Sequence, residues 1–346
     1  MSQSPNTTDD PVSPALRQKY IDNHLVPLWE SKTAATFGKA LETAQHWKWA
    51  TMQSILTETG RIKAAHVLDR RVLLKTKADR HHVYDEAATG TLFCDFQLVL
   101  PGERAHPHRH PMNALRFVVQ CSGGVKSIVD GKDCEMTPGD LILTPGWCWH
   151  EHVNDGPDPV IWLDVLDVGM HYYLGTTDFQ PGPAKDLPAQ LPEGTFATAG
   201  VVPNLDDTDY QQRPYSPKFR YPWLETLRAL EAAPERTDGS RVVKFINPLT
   251  GGPCMDLMDS QVLQLRPDQP TRKHLSSAST VCYVVEGQGV SEIGDQRFEW
   301  ATHDVFTIPA RQWARHTAGK EGARIFQVSN REVYRRLGLL RESSAD

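Results

Sequence analysis

Three histidines and two arginines fall within the twelve residues His106 to Phe117, HPHRHPMNALRF, and the last of these open an apolar, strand-like run, ALRFVV. Such a stretch is either a polar loop before a strand or part of a metal site. His108 and His110 are one residue apart, and on an extended chain residues i and i+2 face the same side. Both imidazoles can therefore reach one ion. His150 stands in TPGWCWHEH, after the strand-like DLILT and a Pro-Gly turn, where an antiparallel neighbour can carry it across to the first pair. Asn154 follows four residues later. An isolated His-x-His is more often a surface accident, but this downstream element favours a metal. Imidazole suits iron, zinc or copper, and three protein ligands leave positions open.

The elements that must position these side chains read as strands. RRVLLK, LFCDFQLVL, ALRFVV, VKSIV, DLILT and VIWLDVL are short and apolar or alternating, and PGE, SGG, DGK and PGD separate them as turns. Many short strands at close spacing indicate a sandwich or barrel, not a parallel α/β sheet. TFGKALETAQHW and TMQSILTETG read as helical before this region, and residues 177 to 217 as an irregular proline-rich connector, followed by the helix PWLETLRALEAA. Strand signals return at MDSQVLQLRP, VCYVVEGQG, VSEIG, DVFTIPA and ARIFQVS, and REVYRRLGLL reads as a closing helix.

The two strand regions are alike. ALRFVVQCSGG matches TVCYVVEGQG, and MTPGDLILTPGWCWH matches WATHDVFTIPARQWARH, which suggests a duplicated β-barrel unit. The divisions expected are a disordered tail (1–15), a helical region (16–69), a first barrel with the metal site (70–176), a connector with a helix (177–240), and a second barrel with a C-terminal helix (241–346). In the second copy RKHLSS keeps His274 but has Ser276 at the next ligand position. His316 lies two residues further from Pro309 than His150 does from Pro145, so it matches His152 better. The second barrel is expected to be structural and metal-free.

The chain has 346 residues, 39% hydrophobic and 23% charged, enough for two domains around a real core. A net charge of −6 argues against nucleic acid or an anionic membrane as main partner. Six cysteines form no CxxC pair and read as buried, reduced thiols of a cytoplasmic protein. The first residues, MSQSPNTTDDPVSP, are polar and lack the apolar stretch of a signal peptide, and no run of eighteen apolar residues appears, so neither secretion nor a membrane span is expected.

Gly102, then His108-x-His110, then Gly139, Pro145 and His150 resemble the paired motifs of the cupin superfamily. Many cupins place a glutamate four or five residues after the second histidine; here Ala114 and Leu115 stand there. The site is thus three neutral histidines with no carboxylate. An ion so held keeps its full charge, which favours a chelating anionic substrate and lowers the pKa of a coordinated phenol. More closely, PGERAHPHRHPMNALRFVV, PGDLILTPGWCWHEH and VIWLDVLD resemble the gentisate 1,2-dioxygenase family, which includes salicylate and 1-hydroxy-2-naphthoate dioxygenases; the likeness runs from LVPLWE through RRVLL to EGQG, FEW, DVFTIP and the C-terminal helix.

That resemblance implies an all-β-dominated bicupin, two jelly-roll barrels with flanking helices, binding Fe(II) in the first and assembling as a homo-oligomer, a tetramer. It implies insertion of both atoms of O₂ between the carboxyl- and hydroxyl-bearing ring carbons of a small aromatic acid. His108, His110 and His150 fall on the iron-ligand positions. Arg116, His152, Gln97 and Asp164 fall on pocket positions, with Arg116 pairing an anionic oxygen of the substrate and His152 supporting the developing oxygen species. An arginine of RRVL, Arg70 or Arg71, belongs there too, with Arg71 the one expected to bind substrate. Arg116 and Asp164 could instead be structural, Asp164 orienting a loop or a histidine. Trp147, Trp149 and Trp162 read as core aromatics.

LFCDFQ departs from the family, with Phe93 where relatives show Trp or Tyr and Asp95 where they show a small residue, usually glycine. By alternation Phe93, Asp95 and Gln97 share one face, unless a bulge turns Asp95 outward. A carboxylate there alters the volume and charge beside the ring. The expected substrate is a substituted salicylate such as 5-nitrosalicylate, with gentisate or 1-hydroxy-2-naphthoate as alternatives. Outside this class stand a manganese bicupin of the oxalate decarboxylase type, which normally needs the missing glutamate, and a ligand-binding bicupin without a working metal site.

Overall fold

The structure, a computed structural model, describes residues 12–30, 41–62, 70–76, 86–182, 192, 194–198, 201–204 and 212–345. It divides into two units, Met1–Leu41 and Glu42–Asp346. In the first, Ser13 caps α1 (Pro14–Asp22) by accepting from the Leu16 N–H, with Pro14 at the first helical position. The expected disordered tail falls mostly on residues 1–11, outside those described.

The second unit carries two barrels. The first is built from β2 (Arg71–Leu73), β3 (Phe93–Val99), β4 (Arg104–Arg109), β5 (Ala114–Gln120), β6 (Val125–Val129), β7 (Lys132–Glu135), β8 (Leu141–Thr144), β9 (His150–Asn154) and β10 (Val160–Leu166), followed by the short helix α3 (Val168–Leu174), with β11 (Gln180–Pro181) and β12 (Arg220–Tyr221) added at its edges. One sheet runs β12-β8-β5-β10-β3-β2; the facing sheet runs β11-β4-β9-β6-β7. The second barrel comprises β13 (Arg241–Lys244), β14 (Asp259–Leu265), β15 (Lys273–Ser276), β16 (Thr280–Ile293), β17 (Gln296–Ala301), β18 (Val305–Ile308) and β19 (Ala314–Ser329). Also joined to it are β1 (His46–Trp47) and β20 (Glu342–Ala345). The repeat read from the sequence is therefore a structural one. Where the first barrel breaks β5 from β6 at CSGG, the second runs through EGQG as the single long β16, with bulges at that point.

Each barrel is clasped by a strand and helix that precede the other. Ahead of the first barrel come β1 and α2 (Trp49–Gly60); β1 pairs with β18, and the Trp49 N–H donates to Asp304 Oδ1. Ahead of the second come β12 and α4 (Trp223–Ala232); β12 pairs with β8, and the Trp223 N–H donates to Asp140 Oδ1. Asp140 and Asp304 are the aspartates of PGD and THD, so one turn serves both barrels as a helix anchor. A Cβ at Gly139 would meet the Trp223 ring at 2.5 Å, and the residue's φ is +89°, so this turn needs glycine.

This exchange corrects one expectation. TFGKALETAQHW, read as helical, holds β1 instead; its residues 36–40 lie outside those described. The His46 and Trp47 backbones complete the edge of β18, and a pairing of residues so distant in sequence leaves no local periodicity. REVYRRLGLL is helical only as α5 (Arg331–Arg336), after which β20 returns to pair with β15.

Strand alternation places β3, β5 and β10 between two environments. Their outward side chains, among them Phe96, Phe117 and Leu163, join one core with Tyr283 and Phe326 of the second barrel, and Phe117 stacks on Phe326 at 4.4 Å. Burial on both faces explains why these strands read as almost continuous apolar runs. Their inward side chains are those of the site.

Candidate metal centre and substrate pocket

His108 and His150 stand directly opposite one another on β4 and β9, and His110 lies just past the end of β4. One ligand atom from each of the three comes within 4.8 Å of the others, and all three residues are buried. Each ring is fixed from behind. His108 Nδ1 lies 2.8 Å from the His106 carbonyl, His110 Nδ1 2.9 Å from that of Met112, and His150 Nδ1 3.0 Å from that of Cys148. A carbonyl only accepts, so each Nδ1 carries the hydrogen and each Nε2 keeps its lone pair. His150 Nε2 is buried with no hydrogen-bond partner. Burial, then the neighbouring histidine His108, pushes the His110 pKa down to about 3 and holds that of His150 well below the ordinary range, so both imidazoles are neutral. Three imidazoles converging on one point, with the His150 Nε2 lacking any other partner, fit a metal ion.

The pocket wall lies on the facing sheet. Register runs without a shift from Val160↔Val99 to Leu166↔Phe93, so no bulge turns Asp95 away from the face of Gln97. Asp95, Asp164 and Arg116 stand side by side on β3, β10 and β5. Arg71 ties the row together. Its Nε and Nη2 donate to the two oxygens of Asp95 at 3.0 and 2.7 Å, and Nη2 also reaches Asp164 Oδ2 at 2.9 Å. Arg116 Nε lies 3.1 Å from Asp164 Oδ1 without the alignment of a hydrogen bond, and Arg116 donates to Thr144 Oγ1. Arg70 instead pairs with Glu103. The choice left open by RRVL is thus resolved in geometry: Arg71 joins the row. Burial pushes the Asp95 carboxyl up to about 6 against the pull of Arg71, and lowers the pKa of Arg116.

Three further side chains accompany this row. Gln97 is fully buried, yet neither its Oε1 nor its Nε2 has a partner. An amide unpaired on both ends costs stability unless something else binds it. His152 is anchored at Nδ1, 2.8 Å from Ser127 Oγ, and its Nε2 is likewise buried and unpartnered. Phe93 packs with its ring 5.8 Å from the Arg71 guanidinium. Asp164, offered in the sequence as an orienter of a loop or a histidine, contacts the two arginines and accepts from Trp162 Nε1 at 3.1 Å.

Some expectations need correction. Trp162 is core, but Trp147 is 46% exposed and Trp149 only half-buried. Both rings sit against the Arg109 guanidinium, at 5.4 and 4.5 Å, because Trp147 occupies a left-handed turn (φ 61°) that swings it out of the barrel. The cysteines are free thiols, five buried and Cys121 half-buried. Sequence reading missed Thr144, Ser127 and Phe179, whose ring stacks on His108 at 5.4 Å. Alternation on β8 and β6 could have found the first two. Phe179 sits in the connector, where nothing local marks it.

Two barrels in one chain, with a buried three-histidine cluster and a buried row of charged side chains in the first, define a bicupin built to hold a metal. The comparisons with known proteins agree. A cupin domain model matches residues 95–166. The chain is 33% identical to a gentisate 1,2-dioxygenase of Aquipseudomonas alcaligenes, over 97% of this chain and 99% of that protein. It is 32% identical to a 5-aminosalicylate 1,2-dioxygenase of Comamonas sp, over 86% and 80%. The solved salicylate 1,2-dioxygenase from Pseudaminobacter salicylatoxidans superposes with a TM-score of 0.88 at 26% identity, covering 98% of this chain and 99% of that one. The chain belongs to the gentisate–salicylate 1,2-dioxygenase family and is a ring-cleaving dioxygenase. Among the described residues, no helix is long and apolar enough to cross a membrane.

Proposed function

We propose that the metal is Fe(II), held by His108, His110 and His150, and that the enzyme prefers a substituted salicylate, such as 5-nitrosalicylate, over gentisate. The reaction adds O₂ to the ring, breaks the bond between the carboxyl- and hydroxyl-bearing carbons and leaves both oxygen atoms in an oxo-dicarboxylate. No outside reductant is required.

The observation that carries the substrate preference is the row Asp95–Arg71–Asp164–Arg116. Two carboxylates balance two guanidinium groups, so the pocket wall has no net charge, and the His110 and His150 imidazoles are neutral. A divalent ion in this setting is best matched by a substrate bringing two negative oxygens, a carboxylate and a phenolate. An electron-withdrawing substituent makes that phenolate easier to form. Bound, the ion supplies Lewis acidity and an electron path between ring and oxygen. The residues do the rest. Arg116 meets the substrate's anionic oxygen, Gln97 presents its unpaired amide, and His152 offers Nε2 to the reacting oxygen. Phe93 and Asp95 limit the space beside the ring. Gentisate is the second reading, favoured by Asp164 Oδ1, which lacks an aligned hydrogen bond and can accept one from a second ring hydroxyl.

Oxygen uptake after anaerobic Fe(II) loading, measured with gentisate, salicylate, 5-nitrosalicylate, a chlorosalicylate and 1-hydroxy-2-naphthoate, tests the reading. One O₂ consumed per substituted salicylate, at a kcat/KM above that for gentisate, is the expected result. Preference for gentisate, or an Asp95→Gly variant with an unchanged ranking, would remove the pocket argument. We further propose a cytoplasmic homotetramer. Its free thiols suit a reducing compartment, and Val26, Leu28 and Trp29 are each about 70% exposed, as surfaces awaiting a partner are. Light scattering on the purified protein checks the oligomer.

A further inference from the structure

In the second barrel two of the three ligand positions carry no histidine, and a cavity lies between its walls. By register, His274 faces Ala314 as His108 faces His150, so the triad becomes His274, Ser276 and Ala314. Gln261, Gln327 and Cys282 stand where the first barrel has Asp95, Asp164 and Arg116. The space between the walls is about 700 Å³, within the range of small-molecule sites.

One polar device survives unchanged. His316 Nδ1 lies 2.7 Å from Ser291 Oγ, as His152 Nδ1 lies 2.8 Å from Ser127 Oγ. Ser291 is fully buried and accepts from Trp300 Nε1 at 2.8 Å. The hydroxyl hydrogen then goes to His316 Nδ1, which places the imidazole hydrogen on Nε2 and makes that nitrogen a donor. His316 lines the cavity. At the mouth lie two pairs already neutralised, Lys244 with Asp259 and Arg331 with Glu342. Lys273 and Arg236 line it too. Asp238, also in the lining, interacts with Arg236, so Lys273 is the cation left unmatched: five basic side chains (Arg236, Lys244, Arg272, Lys273 and Arg331) face four carboxylates (Glu235, Asp238, Asp259 and Glu342), and with a neutral N–H donor this favours an anion.

We propose that the second barrel binds a small organic carboxylate, of the size of an aromatic acid or a ring-opened dicarboxylate, through His316 with Lys273. This holds whether or not the first barrel cleaves rings, so its failure is separable from that of the proposed function.

The test is calorimetric titration of the full chain, metal-loaded and anaerobic, with salicylate and separately with maleate, and with benzylammonium as a cationic control. His108→Ala weakens the first site; carboxylate binding that persists in it and weakens about tenfold when His316→Leu or Lys273→Ala is added is the expected result. Lys273 is exposed, so its substitution leaves the fold intact. Tighter salicylate identifies an aromatic-acid site, and tighter maleate a product-like dicarboxylate site. Absence of carboxylate binding in His108→Ala, binding indifferent to both second-barrel substitutions, or equal binding of benzylammonium would overturn the proposal.

Discussion

The two barrels share strands, turns and clasping helices, and differ in what they point inward. Trp147 and Arg311 hold the same left-handed turn (φ 61° and 64°) ahead of β9 and β19, and Asp140 and Asp304 anchor α4 and α2 in the same way. Inside, the first barrel has three histidines and a chain of four charges, whereas the second has one histidine at a ligand position and a glutamine pair, Gln261 donating to Gln327 at 2.7 Å. The scaffold is therefore indifferent to the chemistry, because inward residues alternate with those that build the core and can change independently of it. A metal site needs all three lone pairs at once. With serine and alanine at two of these three positions, the second barrel presents a polar cavity instead of a three-histidine cluster.

The largest effect should follow from removing one lone pair. His108→Ala is expected to lower bound metal to background and oxygen uptake by about 10³-fold or more, read by elemental analysis and an oxygen electrode. Next, Arg116→Cys copies the second barrel's residue into the first. It leaves Asp164 buried with Arg71 alone, and kcat/KM for the preferred acid should fall by about 10²-fold with metal content unchanged. The converse graft, Ser276→His with Ala314→His, adds the missing ligands around His274, and metal content should rise towards two ions per chain. A value still at one would show that backbone placement, not ligand identity, separates the barrels.

A smaller effect concerns acid. Burial, then His274, pushes the His316 pKa down to about 4 from an ordinary 6.5, so the folded state binds fewer protons than the unfolded one across that interval. Its stability is full above about 6.5 and falls as pH drops towards 4, by on the order of 3 kcal/mol. Denaturant midpoints of His316→Gln against the parent should therefore converge over this window. Smallest, Asp140→Ala and Asp304→Ala should each cost about 1 kcal/mol, and alike, since each removes the anchor of one helix N-terminus. Thermal unfolding measures whether the two clasps are equivalent.

Much of this was written locally. His-x-His on an extended segment, the PGD turn before His150, and the repeat of ALRFVV as TVCYVV are short-range patterns, and strand alternation alone put Asp95 on the face of Gln97. The fold class followed from many short strands, and the family from motifs that carry the ligands. Other features depend on partners distant in the chain. That His46 and Trp47 form a strand depends on β18, and that Arg71 rather than Arg70 reaches the pocket depends on Asp95 and Asp164. Trp147 looked like core by type, but the sign of its φ sent it outward. The Asp95–Arg71–Asp164–Arg116 row draws on four strands. Residue types and alternation fixed which side chains could face inward; only the packed sheets, by setting which charges meet in the absence of water, decided which of them neutralise one another.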